Sequence, residues 1–269
     1  MPCVHREEAG NVGREAGKTM GGLVSIVTPV YNAGAYIEET IAMVCRQTYT
    51  DWELLLVDDG SADDGREKIE KWQKRDSRIR LLAREKNGGA ALARNFGVEH
   101  AAGRYLAFLD ADDIWMENKL ERELGFMEET GAAFVFTAYE FGDERAVRTG
   151  KVVNVPKTLS YRQALSRTVI FTSTVLFDLE KINRELIKMP NVPSEDTATW
   201  WKALRHGYTA YGLNEALVVY RRPERSLSSN KGKAIVRIWN LYRRVEKLSV
   251  ACSLWNFVGW AWRAAWRRL

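Results

Sequence analysis

A chain of 269 residues with 46% hydrophobic and 28% charged residues has the composition of a folded protein, which excludes wholesale disorder, a collagen-like fibre and a disulfide scaffold. The formal charge of +5 is uneven: residues 1–200 hold 26 Lys+Arg against 32 Asp+Glu, and residues 201–269 hold 14 against 3. The basic character therefore belongs to the C-terminal quarter, which argues against nucleic acid as a partner and for a negatively charged surface.

Three scattered cysteines (Cys3, Cys45, Cys252) fit a reducing compartment, and with His5, His100 and His206 they make no metal-ligand spacing. Residues 1–21 are polar and Gly-rich, lack the apolar core of a secretory signal, and read as a disordered leader. From residue 23 the chain alternates. A continuous apolar run at 23–30 predicts a strand covered on both faces, and 53–57, 78–83, 104–110 and 132–140 read as further strands. Helical patterns separate them at 36–44, 63–74, 90–102 and 117–129. This alternation predicts an α/β fold with a mostly parallel central sheet and helices on both faces. Beyond residue 141 the spacing predicts short β pieces to 157, helix 160–167, strand 171–177, helix 195–206 and strand 208–221. Residues 222–233 read as a basic, Ser-rich loop and 234–268 as two helices. The division is a leader (1–21), one domain (22–225, halves 22–140 and 141–225) and a basic, Trp-rich helical tail (226–269).

Ligands of open α/β sheets sit at the carboxyl ends of the strands. The first strand ends in Thr28-Pro29-Val30-Tyr31-Asn32, the second in Asp58-Asp59-Gly60-Ser61, the fourth in Asp110-Ala111-Asp112-Asp113. Five carboxylates at one edge repel, and a divalent cation with oxygen ligands, Mg²⁺ or Mn²⁺, is the natural offset. Each cluster also has a plainer reading. Asp113 suits a helix N-cap, and Asp-Gly-Ser is good turn chemistry. Asn87-Gly88-Gly89 before a helix either presents backbone N–H groups to a phosphate or is simply a loop. Arg94 and Asn95 follow in that helix, and Arg94 suits a phosphate or carboxylate partner.

In order, TPVYN, DDGS, NGGxxxARN and LDADD resemble the family-two, GT-A-type inverting glycosyltransferases, closely over 23–140 and more loosely over 141–225. The resemblance implies a nucleotide-diphosphate-sugar donor, with a UDP-sugar expected, and Mn²⁺ or Mg²⁺ as cation. It assigns Pro29, Tyr31 and Asp59 to base and ribose, Arg94 and Asp110 to the nucleotide pocket, and Asp112 and Asp113 to the metal, with Asp112 also on the nucleotide. Ser194-Glu195-Asp196 matches the family's acidic motif and makes Asp196 the general base. Its plainer reading is an acidic helix start favourable to the dipole. Glu195, Trp200, Trp201 and the strand residues Thr172, Ser173 and Thr174 are the expected acceptor contacts. Arg221 and Arg225 are the expected diphosphate clamps.

The uncharged stretch 248–262 is too short to span a bilayer, which takes about 20 apolar residues. Trp255, Trp262 and Trp266 share one helical face flanked by Arg263, Arg267 and Arg268. That pattern suits a membrane interface through 252–268, and equally a helix packed on the domain or on a second subunit. The expected setting is cytoplasmic and peripheral on the inner face of the membrane, with a polysaccharide or lipid-linked glycan as acceptor. Three rivals remain. A sugar-1-phosphate nucleotidyltransferase is expected to carry a basic, Gly-rich loop after the first strand, and no Lys or Arg follows TPVYNAG before Arg46. A non-catalytic nucleotide-sugar-binding scaffold has no need of the carboxylates at 110–113 and 196. A membrane-interaction protein leaves the strand-end clusters unexplained.

Overall fold

The structure, a computed structural model, describes residues 21–222 and 231–266. The expected leader, Arg225, the side chain of Trp266, and Arg267 and Arg268 lie outside the described residues. The first half runs β1 (Val24–Val30), α1 (Ile37–Cys45), β2 (Trp52–Asp58), α2 (Gly65–Gln73), β3 (Ile79–Ala83), α3 (Ala90–His100), β4 (Tyr105–Phe108), β5 (Ile114–Trp115), α4 (Lys119–Thr130) and β6 (Phe134–Gly142). The second runs β7 (Arg148–Val153), β8 (Thr158–Leu159), α5 (Tyr161–Leu165), a 3₁₀ turn (Thr172–Thr174), β9 (Val175–Asp178), α6 (Arg184–Ile187), α7 (Glu195–Arg205) and β10 (Ala210–Arg221). After these come α8 (Lys231–Asn240), a π-helical turn (Leu241–Val245) and α9 (Val250–Trp266).

One sheet runs in the order β3-β2-β1-β4-β9-β6-β10-β5. β1 pairs in parallel with both β2 and β4, and β6 with β10. β9 is antiparallel to both neighbours, β4 and β6. Every residue of β2 is buried, its apolar Leu54–Val57 centre flanked by Glu53, which is bonded to Ser25 and Arg80, and by Asp58. The chain leaves β1 for β2 on one side and returns to β4 on the other, so a switch point opens at the carboxyl ends of β1 and β4.

Two local features aim the site. A Cβ on Gly97 would collide with Val27, so only glycine lets α3 lie this close to β1. Arg94, one turn earlier, is thereby held beside the end of β4. The sequence predicts a strand through Asp110, but β4 stops at Phe108, and Asp110–Asp113 form a tight turn closed by Asp113 N–H donating to Asp110 C=O at 3.1 Å. The sequence also predicts a strand from 171. Instead Thr172–Thr174 form the 3₁₀ turn, and Thr174 Oγ1 donates to Phe171 C=O at 2.6 Å. A hydroxyl that bonds its own local backbone competes with a strand ladder.

The C-terminal helices join the core rather than trail from it. Ile238, Leu241 and Tyr242 belong to the main hydrophobic cluster. The Tyr242 ring lies flat on Trp201, centroids 5.4 Å apart, and its hydroxyl donates to Leu165 C=O. Buried Glu246 accepts from Tyr161 Oη at 2.5 Å and Arg205 at 2.9 Å, which ties the π-helical turn to α5 and α7. Among the described residues, no helix is long and apolar enough to cross a membrane.

Candidate active site

Arg94 is the hub. Its side chain is buried, Nη2 donates to Asp110 at 2.5 Å, and Nη1 donates to Glu195 at 3.2 Å. Nε is buried with no hydrogen-bond partner among the described residues. Burial weighs against the charge, but the carboxylates of Asp110, Glu195 and Asp196 prevail and hold the guanidinium above its ordinary pKa. One cation thus joins the acidic turn of the first half to the first turn of α7.

Glu195 and Asp196 open α7, where the helix dipole favours negative charge. Ser194 before them takes the left-handed conformation, φ 61°, which swings the chain out of the Pro-bounded segment. Asp196 accepts from Thr197 N–H at 2.6 Å and stands 3.5 Å from Thr172 Oγ1. Its pKa is raised, chiefly by burial and then by Glu195, against the pull of Thr197 N–H and Arg94.

The three aspartates of the acidic turn have separate fates. Asp110 pairs with Arg94, and its N–H donates to Ser173 Oγ at 3.1 Å. Asp113, an expected metal ligand, points inward instead: it is 1% exposed and accepts from Ser173 Oγ at 2.5 Å and Arg221 N–H at 3.3 Å. Burial, then Asp110 and Asp112, push its pKa well above the ordinary carboxylate value. A carboxylate this buried, with both oxygens already accepting hydrogen bonds, is poorly placed to ligate a cation. Asp112 is only half-buried. Its carboxyl is raised by burial and by Asp110, and its own N–H offsets part of that.

Other expectations also change. Asp59, expected on base or ribose, is buried and accepts from Gly88 N–H at 3.0 Å, Gly89 N–H at 2.7 Å and the Arg84 guanidinium. It holds the Asn87-Gly88-Gly89 loop, so those N–H groups face a carboxylate of the chain itself. Arg221, expected as a diphosphate clamp, is buried and spent on structure. It donates to Asp112 C=O at 2.7 Å, Glu144 C=O at 3.2 Å and Glu39 at 2.5 Å, with Tyr36 beneath it. Trp200 and Trp201, expected acceptor contacts, are fully buried. Trp200 packs among Phe108, Phe134 and Phe177, so these rings seat α7 and leave no face for a ligand. Thr172, Ser173 and Thr174 are likewise buried: Ser173 pins the acidic turn, and only Thr172 reaches Asp196.

Tyr31 is 56% exposed just past β1, and Pro29 is half-buried at the strand end. Asn32 beside them is left-handed, φ 50°, held by Ser61 Oγ at 3.0 Å and Ala62 N–H at 2.9 Å. The sequence reading missed Arg84 and Glu39, whose only signals are a lone cation just past β3 and an acidic first turn of α1. The arginines do much of the charge-balancing that the sequence assigns to a cation. No cluster of three metal-ligating side chains occurs among the described residues. Asp112 alone suits the sparse set typical of Mg²⁺, one or two carboxylates completed by ligand phosphates.

A β1/β4 switch point with an acidic turn on one side and a carboxylate-bearing helix on the other is a GT-A-like architecture. The fold agrees with Staphylococcus aureus TarS 1-349, solved with UDP-GlcNAc, at a TM-score of 0.67 and 19% identity over 88% of this chain and 71% of that one. It also agrees with the mannosyltransferase PcManGT of Pyrobaculum calidifontis, solved with GDP-Man and Mn²⁺, at 0.65 and 19% over 84% and 64%. A family model described as glycosyl transferase family 2 matches residues 25–180. A Bacillus subtilis (strain 168) protein, TuaG, named as a glycosyltransferase of teichuronic acid biosynthesis, is 44% identical over 92% of this chain and 98% of its own. Escherichia coli WfgD, a UDP-Glc:alpha-D-GlcNAc-diphosphoundecaprenol beta-1,3-glucosyltransferase, is 38% identical over 81% and 85%. The chain belongs to glycosyl transferase family 2 and is a glycosyltransferase.

Proposed function

We propose that the enzyme moves a sugar from a UDP-sugar to a hydroxyl of a lipid-diphosphate-linked cell-envelope glycan, with inversion at the anomeric carbon. The observation that carries this reading is the Arg94 bridge, which brings Asp110 and the Glu195–Asp196 helix start together around one guanidinium. The names and donors of the relatives and structural neighbours support the substrate classes.

In this reading Tyr31 and Pro29 flank the base and Asp110 meets the ribose. Asp112 would hold a divalent cation, which would neutralise charge on the diphosphate when bound. The acceptor hydroxyl attacks the anomeric carbon opposite the nucleotide and its proton passes to Asp196. The bond to the diphosphate oxygen breaks, and the nucleoside diphosphate leaves. One displacement inverts the centre and needs no protein nucleophile. Burial and Glu195 raise the basicity of Asp196, which favours proton capture. Trp255 at 82% exposure and Trp262 at 69% support peripheral contact with the inner face of the cytoplasmic membrane, where such a lipid acceptor resides.

The test is calorimetric binding of UDP, GDP and CDP with and without Mn²⁺, on wild type and Asp112→Asn, followed by turnover of UDP-sugars. The expected result is cation-dependent binding of UDP alone, lost in Asp112→Asn. A folded protein that binds no nucleotide would overturn the reading.

A further inference from the structure

Away from the cleft, α9 and β7 bound a groove of about 1060 Å³. Its apolar wall is Val152, Val153, Val169, Trp255 and Val258, and Arg167 and Arg263 supply its charge. The volume is at the upper end for ligand sites, which typically run to about 1,000 Å³.

Three contacts fix α9 against residues 166–168. Trp260 Nε1 donates to Thr168 Oγ1 at 3.1 Å. Arg263 donates to Ser166 Oγ at 3.1 Å. A Cβ on Gly259 would stand 3.1 Å from Ser166 Cβ, so glycine permits the close approach of α9. The same chain segment continues to the catalytic centre. Val169 and Ile170 line a small cavity with Thr197, and Thr172 stands against Asp196. From Arg167 to Thr172 is at most about 18 Å even if fully extended.

We propose that this groove seats the first isoprenoid units of the lipid-diphosphate acceptor, with Arg167 and Arg263 at the diphosphate and the attached sugar directed toward Asp196. The inference rests on the acceptor class proposed above. Charge complementarity selects the occupant. An apolar channel with the guanidinium groups of Arg167 and Arg263, and no carboxylate among the described residues of its lining, matches a molecule that is apolar along its length and doubly anionic at one end. The exposed face of α9, with Leu254 and Trp255, continues the apolar surface outward, so the rest of the chain stays in the bilayer.

Equilibrium dialysis of labelled farnesyl diphosphate tests this, with farnesol and inorganic pyrophosphate as competitors. Val258 is 67% exposed, so Val258→Asp keeps the fold, checked by circular dichroism. The expected result is at least a tenfold loss of farnesyl diphosphate affinity in Val258→Asp, a several-fold loss in Arg167→Gln, and UDP affinity unchanged in both. Ile235→Asp, at an exposed apolar position on α8 outside the groove, should change neither. Three outcomes overturn the proposal: no saturable binding to wild type, equal binding by Val258→Asp, or equal losses in Val258→Asp and Ile235→Asp. A fourth, loss of phosphatidylglycerol-vesicle binding in Val258→Asp with farnesyl diphosphate binding intact, assigns the surface to the bilayer instead. Failure of the transferase reading registers separately, as loss of nucleotide binding by wild type.

Discussion

Arg94 Nη2 lies 2.5 Å from Asp110 Oδ1, while Nη1 of the same guanidinium reaches Glu195, 101 residues further along the chain. Arg94→Ala leaves three carboxylates without their common cation. It should cost about 3 kcal/mol of stability and lower turnover by about 100-fold, since small displacements of reacting groups carry penalties of that size. Arg94→Lys should keep the fold but not the activity, because an ammonium is a point charge and cannot span both partners. Urea denaturation and steady-state kinetics check both.

Asp112 and Asp113 are adjacent and should respond oppositely. Asp113→Asn keeps an oxygen to accept from Arg221 N–H and turns an amide N–H toward Ser173 Oγ, which can accept it, so stability should stay within about 1 kcal/mol, whereas Asp113→Ala orphans both donors and should cost about 1–3 kcal/mol. Asp112→Asn should leave stability unchanged and abolish the cation-dependent part of UDP binding. Thermal melts with and without UDP and Mn²⁺ separate the two.

Asp196→Asn should lower kcat by about 10²–10⁴-fold with UDP affinity unchanged. The base works ionised, so kcat/KM should fall as pH drops through its pKa. Burial and Glu195 place that acidic limb above the ordinary Asp value. A pH–rate profile of wild type against Asp196→Glu reads the limb.

Lys119 and Glu123 form a fully buried pair on α4, 2.5 Å apart, with the ammonium over the Trp115 ring. Burial pushes Glu123 up to about 7 against the pull of Lys119. A carboxyl raised on folding gives stability that is complete below its unfolded value near 4.5 and lost as pH rises through about 7. The double replacement Lys119→Met with Glu123→Leu should flatten this dependence and gain about 1–4 kcal/mol at about pH 8. Lys119→Met alone should cost about 3 kcal/mol there. Denaturation across this pH range tests the sign.

Trp201 and Trp255 look alike in the sequence but are 1% and 82% exposed. Trp201→Ala should cost about 3–5 kcal/mol and loosen the C-terminal helices through the lost Tyr242 stack. Trp255→Ala should change stability by less than about 0.5 kcal/mol. Comparing the two melting curves checks the assignment.

Periodicity made the first half of the fold legible. The runs at 23–30, 53–57, 78–83 and 132–140 each became a strand; the central ones are mostly apolar because they are buried on both faces, and edge strand β3, with Arg80, is partly exposed. The acidic clusters were likewise legible as strand-end features, because the loops of a parallel sheet gather at one edge. The 3₁₀ turn at Thr172–Thr174 was not. An apolar run with hydroxyls reads as a strand until the local bonds of those hydroxyls are seen.

Which carboxylate faces the cleft was decided only by tertiary structure. Asp59, Asp112 and Asp113 are the same residue type in similar settings, yet one holds a loop, one is half-exposed and one is an interior anchor. Partners distant in sequence make the difference: Arg84 and Gly89 for Asp59, and Ser173 and Arg221 for Asp113. The tryptophans follow the same logic, since helical spacing shows that a stripe exists and only packing shows which stripe is covered. The sequence by itself determined the chemistry available at the sheet edge. Long-range pairing, which no local pattern encodes, decided which of those groups remain to meet a ligand.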